Sequence, residues 1–194
     1  MSTNDTYYGD AGDNHQVADF DGGNDVFIGF GGNDSFVGGG GNDFVVGGEG
    51  NDRLTGGAGD DILMAGTGND YLGGGTGSDL LLGLLGDNKL NGGTGDDLLV
   101  AGSGDNVMVG GSGADKFIFT DKFGGHGEAK VVDFTIGEDS LHIISDSVTS
   151  YADLSFTYDA KGNAVFTDGA DLTVKLLGVT QEDINSYGSD LFII

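Results

Sequence analysis

Aspartate recurs at every ninth residue through the middle of the chain, and carboxylates with such a spacing can bind a row of cations. Residues 38–64 read GGGGNDFVVGGEGNDRLTGGAGDDILM, three blocks in which glycines come first, Asp is sixth and an apolar residue is eighth. The frame runs without insertion over residues 20–118, which makes eleven blocks. Position six is Asp in nine blocks and Asn in two: Asp25, Asp34, Asp43, Asp52, Asp61, Asp70, Asp79, Asp97 and Asp115, with Asn88 and Asn106.

The other positions of the block indicate the element that carries these side chains. Position four is Gly in all eleven blocks, and glycine permits positive φ and close backbone approach. We predict a turn over the first six residues and a strand over the last three, with position eight inward and positions seven and nine outward. Two blocks then make one coil of 18 residues, and stacked coils give two parallel sheets. Their shared core would consist of the position-eight residues Phe27, Phe36, Val45, Leu54, Leu63, Leu72, Leu81, Leu90, Leu99, Met108 and Phe117.

The charge of the chain requires a cation between the turns. There are 32 acidic and 7 basic residues, a formal net charge of -25, which argues against nucleic acids and anionic membranes as partners. Turns on the same side of the roll would stack about 4.8 Å apart, where like charges repel by roughly 3–4 kcal/mol at an effective dielectric constant near 20. Ca²⁺ takes six to eight oxygen ligands in flexible geometry and suits such turns better than Mg²⁺ does.

The nonapeptide GGxGxDxUx, where U is apolar, resembles the RTX calcium-binding repeat. The resemblance covers residues 20–118 and implies a right-handed parallel β-roll with calcium between turns two blocks apart. It implies ligands from the nine Asp, from the oxygens of Asn88 and Asn106, and from turn carbonyls. The neutral Asn would weaken that end of one ladder unless Asp87 and Asp105 replace them. We expect roughly seven to ten ions, with the carbonyls offered by Gly39, Gly41, Gly48, Gly50, Gly57 and Gly59.

Two flanking regions complete the all-β fold. Residues 1–19 form a lead-in with one degenerate repeat, GDAGDNHQV at 9–17. Residues 119–194 are predicted to form a C-terminal β cap with strands at 154–158, 164–168 and 172–178 and a hairpin turn at 159–163. Residues 180–186 favour a short helix, with Thr180 as N-cap and Asp183 at the third helical position.

The tail also resembles known export-associated segments. GADKFIF at 113–119 and VVDFTIGEDSLHI at 131–143 are similar to segments that end the rolls of serralysin proteases and alginate-epimerase R-modules. In that comparison Asp133 and Asp139 become further calcium ligands or turn caps. The terminal DLFII resembles the end of type I secretion substrates, and MSTNDTYYGD is not a Sec signal peptide. No apolar run reaches the length of a membrane helix. The resemblance implies secretion by the type I machinery and folding outside the cell.

The outward residues of the two predicted sheets differ in character. In the odd-numbered blocks eleven of the twelve outward residues are apolar, more than monomers usually expose, although Val and Ile also simply suit strands. We predict that the C-terminal strands, a second copy of the chain or another domain covers this face. The residues concerned are Val26, Ile28, Phe44, Val46, Ile62, Met64, Leu80, Leu82, Leu98 and Val100.

The even-numbered blocks carry Arg53, Tyr71 and Lys89 on consecutive coils, a strip that is either a solvated face or a site for an anionic polysaccharide, as in R-modules. No HExxH or GxSxG motif occurs. We therefore expect a non-enzymatic, secreted calcium-binding module that folds on binding Ca²⁺ and serves in folding, secretion or surface structure. The alternatives are a polysaccharide-binding module and the detached C-terminal domain of an exported enzyme.

Overall fold

A computed structural model describes residues 4–17, 22–120, 127–170 and 172–194, with only the backbone of Val17. The predicted boundary between lead-in and roll, at residues 19 and 20, lies outside the described residues. The strands are β1 (Thr6–Tyr8), β2 (His15–Val17), β3 (Val26–Gly31), β4 (Ser35–Gly40), β5 (Phe44–Glu49), β6 (Arg53–Ala58), β7 (Ile62–Thr67), β8 (Tyr71–Thr76), β9 (Leu80–Leu85), β10 (Lys89–Thr94), β11 (Leu98–Ala101), β12 (Val107–Ser112), β13 (Lys116–Thr120), β14 (Glu128–Val131), β15 (Ser140–Ile144), β16 (Ser155–Tyr158), β17 (Ala164–Thr167), β18 (Thr173–Leu176) and β19 (Phe192–Ile193). The α-helix is α1 (Gln181–Tyr187), and 3₁₀ turns occupy Tyr151–Asp153 and Gly188–Leu191.

From β1 to β15, alternate strands belong to two facing sheets. Sheet A has the order β1-β3-β5-β7-β9-β11-β13-β15-β19, and sheet B has the order β16-β17-β18-β14-β12-β10-β8-β6-β4-β2. Pairing within the roll is parallel with partners 18 residues apart, as in Val45↔Leu63 of sheet A and Leu54↔Leu72 of sheet B. The predicted all-β parallel roll with 18-residue coils is confirmed.

Each strand is longer than the repeat suggested. Most strands of the roll have six residues, because pairing continues into positions two and three of the next block, as in Gly48↔Gly66 and Glu49↔Thr67. The backbone N–H of Gly50 then donates to the carbonyl of Thr67 at 2.9 Å. The prediction of three-residue strands and six-residue turns was wrong, because a glycine with positive φ can bend the chain without leaving the ladder.

The position-eight residues form the core of the roll, as predicted. All eleven are at most 1% exposed. Phe27 and Phe36 stack across the two sheets with ring centroids 4.9 Å apart. Strand alternation therefore seals the interior with one side chain per block.

The lead-in adds one more coil to the roll. Strand β1 pairs with β3 through Thr6↔Val26, and β2 pairs with β4 through His15↔Ser35. Asn14 takes the place of a position-six residue, since its backbone N–H donates to Asp34 Oδ1 at 2.8 Å. The degenerate repeat is structurally a repeat.

The C-terminal region closes the far end of the roll. Strands β16, β17 and β18 are antiparallel, with the turn between β16 and β17 held by Asp159, which accepts N–H donors from Lys161 and Asn163. Helix α1 begins after the N-cap Thr180, which forms a capping box with Asp183. The predicted hairpin and helix are both present.

The C-terminal strands extend the two sheets rather than cover one of them. Strands β15 and β19 continue sheet A beyond β13, and β14 and β18 continue sheet B. Phe44 and Ile62 on the outer face of sheet A remain 38% exposed, and of the ten residues predicted for that face only Val100 is buried. Coverage by the C-terminal strands was therefore wrong for most of this face, because parallel extension leaves those strands in the plane of the sheet.

Candidate metal centre

The position-six side chains lie in two rows, one along each edge of the roll. The turns from sheet B to sheet A form the B-to-A edge, which carries Asp25, Asp43, Asp61, Asp79, Asp97 and Asp115. The turns from sheet A to sheet B form the A-to-B edge, which carries Asp34, Asp52, Asp70, Asn88 and Asn106. All eleven are 1–3% exposed. The roll thus brings together, edge by edge, every position-six residue that the sequence singled out.

One oxygen of each side chain joins consecutive coils. The backbone N–H of Asp43 donates to Asp61 Oδ1 at 2.7 Å, and on the other edge the N–H of Asp52 donates to Asp70 Oδ1 at 2.7 Å. Because these bonds repeat at a separation of 18 residues, they fix the orientation of each carboxylate. The second oxygen is held inside the turn.

That second oxygen has no hydrogen-bond partner. Among the described residues the Oδ2 atom is buried and unpaired in eight carboxylates: Asp34, Asp43, Asp52, Asp61, Asp70, Asp79, Asp97 and Asp115. A buried carboxylate oxygen without a donor is costly unless a cation neutralises it. Five of these atoms lie on the B-to-A edge and three on the A-to-B edge, which indicates a row of cation sites along each edge.

The glycine at position one leaves the space that such a cation needs. A Cβ placed on Gly38 would overlap Asp43 Oδ2 and lie 2.6 Å from the carbonyl oxygen of Gly56 in the next coil. The same holds at Gly47, where the Cβ would overlap Asp52 Oδ2 and lie 2.6 Å from the carbonyl of Ala65. A carboxylate oxygen and a carbonyl oxygen therefore border the same space beside the position-one residue, with no donor between them. We call this space the cradle.

The pKa values report the electrostatic cost of these carboxylates. Burial raises the pKa of Asp61 and Asp97 to about 7, and neighbouring carboxylates of the same edge add to the rise. Burial likewise raises the pKa of Asp43, Asp70 and Asp115 to about 6. The N–H donors to Oδ1 oppose the rise only in part. The charged form is disfavoured at these turns until a cation compensates it.

The donor set fits calcium. Carboxylate and carbonyl oxygens are the ligands of a hard cation of flexible geometry. In the described ranges no three His, Cys, Asp or Glu side chains cluster around one point, so backbone carbonyls must supply part of each site. The predicted glycines at positions two and four all have positive φ, from 99° to 129°: Gly39, Gly41, Gly48, Gly50, Gly57 and Gly59.

The carbonyl at position one was not among the predicted ligands, yet it is the one that lies beside the unpaired oxygen at Gly38 and Gly47. A signal for it was present, because position one is Gly or Ala in ten of the eleven blocks. A small residue there keeps the cradle open.

A second ladder at position five was also missed. The backbone N–H of Asn42 donates to Asn24 Oδ1 at 2.8 Å, and that of Asp105 donates to Asp87 Oδ1 at 2.8 Å. These bonds run in the direction opposite to those of position six. Asn or Asp at position five in nine of eleven blocks was the available signal. Asp87 and Asp105, predicted as substitutes for the neutral Asn, belong to this exposed ladder.

The two Asn occupy the position-six ladder with a different second atom. The N–H of Asp70 donates to Asn88 Oδ1 at 2.9 Å, and Asn88 Nδ2 donates to the carbonyls of Gly83 at 2.9 Å and Gly86 at 3.1 Å. Asn106 Nδ2 donates to the carbonyl of Gly104 at 2.9 Å. At these turns a donor stands where the aspartates present an unpaired oxygen.

Asp133 and Asp139 have the geometry of turn caps. Asp133 accepts N–H donors from Gly110 at 3.0 Å and Gly111 at 2.9 Å, one on each oxygen. Asp139 accepts from Asp115 at 2.9 Å and from Thr135 at 2.7 Å. Because each oxygen already has a backbone donor, this arrangement favours the capping role over the calcium role.

The strip on sheet B is a continuous feature of the surface. Arg53 pairs laterally with Tyr71, and Tyr71 with Lys89. The Arg53 guanidinium lies 4.3 Å from the centroid of the Tyr71 ring. Tyr71 and Lys89 also line a cavity of about 220 Å³ together with Val107 and Val109.

Comparison with known proteins agrees with this geometry. The family model of the RTX calcium-binding nonapeptide repeat matches residues 21–45, 46–81 and 82–117, half of the chain. The chain therefore belongs to the RTX calcium-binding repeat family. Its roll and its turns define a calcium-binding structural module.

Among solved structures, the extracellular lipase LipA from Serratia marcescens is similar, with 17% sequence identity and a TM-score of 0.41. The match covers 100% of this chain and 40% of the lipase, so the chain spans less than half of that protein's length. No curated protein matches the sequence. Within the described ranges, no helix has the length and apolar character needed to cross a membrane.

Proposed function

We propose that this chain is a non-catalytic, secreted module whose roll folds when calcium binds between its turns. It would serve as a folding and secretion domain or as a surface structural protein. The observation that carries the proposal is the set of eight buried carboxylate oxygens without partners. An ion at each cradle would link consecutive coils, and binding that exists only in the folded state adds directly to the free energy of folding.

The chain's own residues provide the site in a defined way. The position-six aspartates present Oδ2, position-one carbonyls lie beside it at turns such as those of Gly38 and Gly47, and the position-eight side chains exclude water from the coil. Calcium supplies the positive charge that these oxygens lack. Eight unpaired oxygens support an ion number within the range of seven to ten.

Far-UV circular dichroism during a calcium titration tests the proposal. We expect a cooperative change from coil to β-sheet at roughly 10⁻⁴–10⁻³ M Ca²⁺ and none with Mg²⁺ at the same concentration. A spectrum that is already rich in β-sheet in chelator, with no stabilisation on adding calcium, would contradict the proposal.

Export by a type I system belongs to the same proposal. RTX repeats are typical of secreted proteins. Leu191 and Phe192 of the DLFII segment are buried in the folded roll, whereas Ile193 and Ile194 are exposed. The whole segment would be accessible to a type I transporter only in the unfolded chain. Export of the chain by a type I transporter, lost when Phe192 and Ile193 are changed to Ser, would support this; unchanged export would oppose it.

A polysaccharide-binding module is the second candidate. It is favoured by the stacked Arg53 and Tyr71 beside a cavity that Lys89 lines. Retention on an alginate-like anionic glycan should be lost in an Arg53→Ala/Lys89→Ala variant and kept in Lys116→Ala, whose lysine is exposed on the other sheet. Equal retention of all three proteins would exclude the strip as the site.

The outer face of sheet A is proposed as an interface with a second chain or a fused domain. Phe44 and Ile62 are exposed at its centre. The detached end of an exported enzyme remains the third candidate, and a longer open reading frame with a catalytic domain would establish it.

A further inference from the structure

We propose that Asn88 and Asn106 close their turns without calcium, because their amide groups stand in for the ion. The proposal rests on the proposed function, in which the aspartate turns bind calcium. It differs from the expectation that both Asn are weak ligands. It divides the A-to-B edge into a calcium segment and a calcium-free segment.

The orientation of each amide is fixed by the ladder. The backbone N–H of Asp70 donates to Asn88 Oδ1 at 2.9 Å, and the N–H of Asn88 donates to Asn106 Oδ1 at 3.1 Å. Only an oxygen can accept these bonds, so the Nδ2 group of each side chain must point into its own turn. The donor inside the turn is thus a consequence of the coil pairing.

Carbonyl oxygens of these turns already accept hydrogen bonds from the Asn side-chain amides. Asn88 Nδ2 donates to Gly83 and Gly86, and Asn106 Nδ2 donates to Gly104 at 2.9 Å and, at 3.3 Å each, to Gly102 and Ser103. At the eight aspartates the corresponding atom is an unpaired oxygen. An ion entering an Asn turn would have to displace these amide donors from carbonyls of that turn.

The charges along the two edges agree with this division. The B-to-A edge has an unbroken row of six aspartates, whereas the A-to-B edge has only Asp34, Asp52 and Asp70 before the two neutral residues. Asn88 and Asn106 are each 1% exposed. A buried neutral amide with satisfied donors needs no counter-ion, so in the folded roll these two adjacent turns close without an ion of their own.

Counting bound ions on the full chain by native mass spectrometry at saturating Ca²⁺ tests the proposal. We expect Asn88→Ala to bind as many ions as wild type and Asn88→Asp to bind one more. Asn69→Asp adds the same charge at position five of the same edge, outside the cradle, and should bind no extra ion. Asp61→Asn should bind one fewer.

The outcomes separate this proposal from the one on which it rests. Loss of an ion in Asn88→Ala, or no gain in Asn88→Asp, would overturn the role of the amide while calcium binding by the aspartates stands. No calcium on wild type would overturn both. Should Asn88→Asp fail to fold, Asn106→Asp gives the same count at the neighbouring turn. Thermal unfolding adds a second readout, because Asn88→Ala should destabilise the roll at saturating calcium without changing the ion number.

Discussion

The two oxygens of a position-six carboxylate have different roles in this roll. Oδ1 accepts a backbone N–H from the preceding coil and fixes the side chain, as in the 2.8 Å bond from Asp79 to Asp97. Oδ2 is buried without a hydrogen-bond partner in eight of these carboxylates, so it stays unsatisfied until a cation arrives. An amide in the same place satisfies the carbonyls by itself. One atom, O or N, therefore decides whether a turn needs calcium.

Asp61→Asn is expected to lower the stability of the roll when calcium is bound but not in chelator. At saturating Ca²⁺ the variant loses an ion, and the free energy of unfolding should fall by about 1–3 kcal/mol. In chelator, with sucrose added equally to favour the folded state, it should not fall, because the buried unpaired Oδ2 of wild type is gone. Urea unfolding of both proteins in both conditions measures this. A variant that is less stable than wild type in both would contradict the account.

The metal-free roll should be more stable in mild acid than in base. The pKa of Asp61 and Asp97 is raised to about 7 by burial in the folded state, against an ordinary value near 3.8 in the unfolded chain. The folded state thus binds more protons in this window, so its stability falls as pH rises through about 7. In chelator, β-sheet content should be higher at pH 5 than at pH 8. An Asp61→Asn/Asp97→Asn variant should show a smaller difference, and stability that rises with pH would refute the argument.

Each six-residue strand contains its own bend at position two. Gly75 of β8 has a φ of 123°, and a Cβ there would overlap the carbonyl oxygen of Gly57 in the preceding coil. Phe30 and Leu84 occupy position two in other strands with φ of 71° and 62°, within the left-handed region that L-residues can reach. The bend thus tolerates a side chain only where the local φ is smaller.

Gly75→Ala is expected to destabilise the roll by about 2–3 kcal/mol, because alanine is strained at this φ and meets backbone. Gly73→Ala in the same strand is the matched control. A Cβ on Gly73 would lie 3.4 Å from the Tyr71 ring, an ordinary contact, and its φ is not positive. Thermal unfolding at fixed calcium compares the two. Equal losses at both positions would show that the bend at position two is not the cause.

The molecule as a whole is sealed along its core and at one end but open on one face. Phe156, Phe166 and Phe192 close the C-terminal end with ring centroids 5.0 to 6.1 Å apart. The outer face of sheet A presents Phe44 and Ile62 at 38% exposure. The position-six aspartates lie in the turns rather than on this face.

Calcium-loaded wild type is expected to sediment above its monomer mass of 19.7 kDa. A Phe44→Thr/Ile62→Thr variant should return to the monomer, because it removes the two exposed apolar side chains from the centre of the face. Val107→Thr/Val109→Thr, on sheet B, should leave the mass unchanged. A wild-type monomer at saturating calcium would exclude the second copy, and binding of a hydrophobic dye to that monomer would show that the face is solvated.

The sequence by itself determined the repeat, the parallel roll, the buried position-eight core and the regular placement of the position-six aspartates. It could do so because side-chain alternation and the nine-residue period are local properties of the chain. The hairpin and the capped helix of the C-terminal region also follow from local signals, as Thr180 and Asp183 show.

The tertiary structure decided what depends on contacts between residues 18 apart. Six-residue strands arise because the ladder of one coil continues on the next, and the open face of sheet A exists because the C-terminal strands extend the sheets. The same stacking turns the amide of Asn88 inward, since the N–H of Asp70 takes its oxygen. The sequence shows that position six of this block is Asn, but only the neighbouring coil determines which of the two polar side-chain atoms faces the turn.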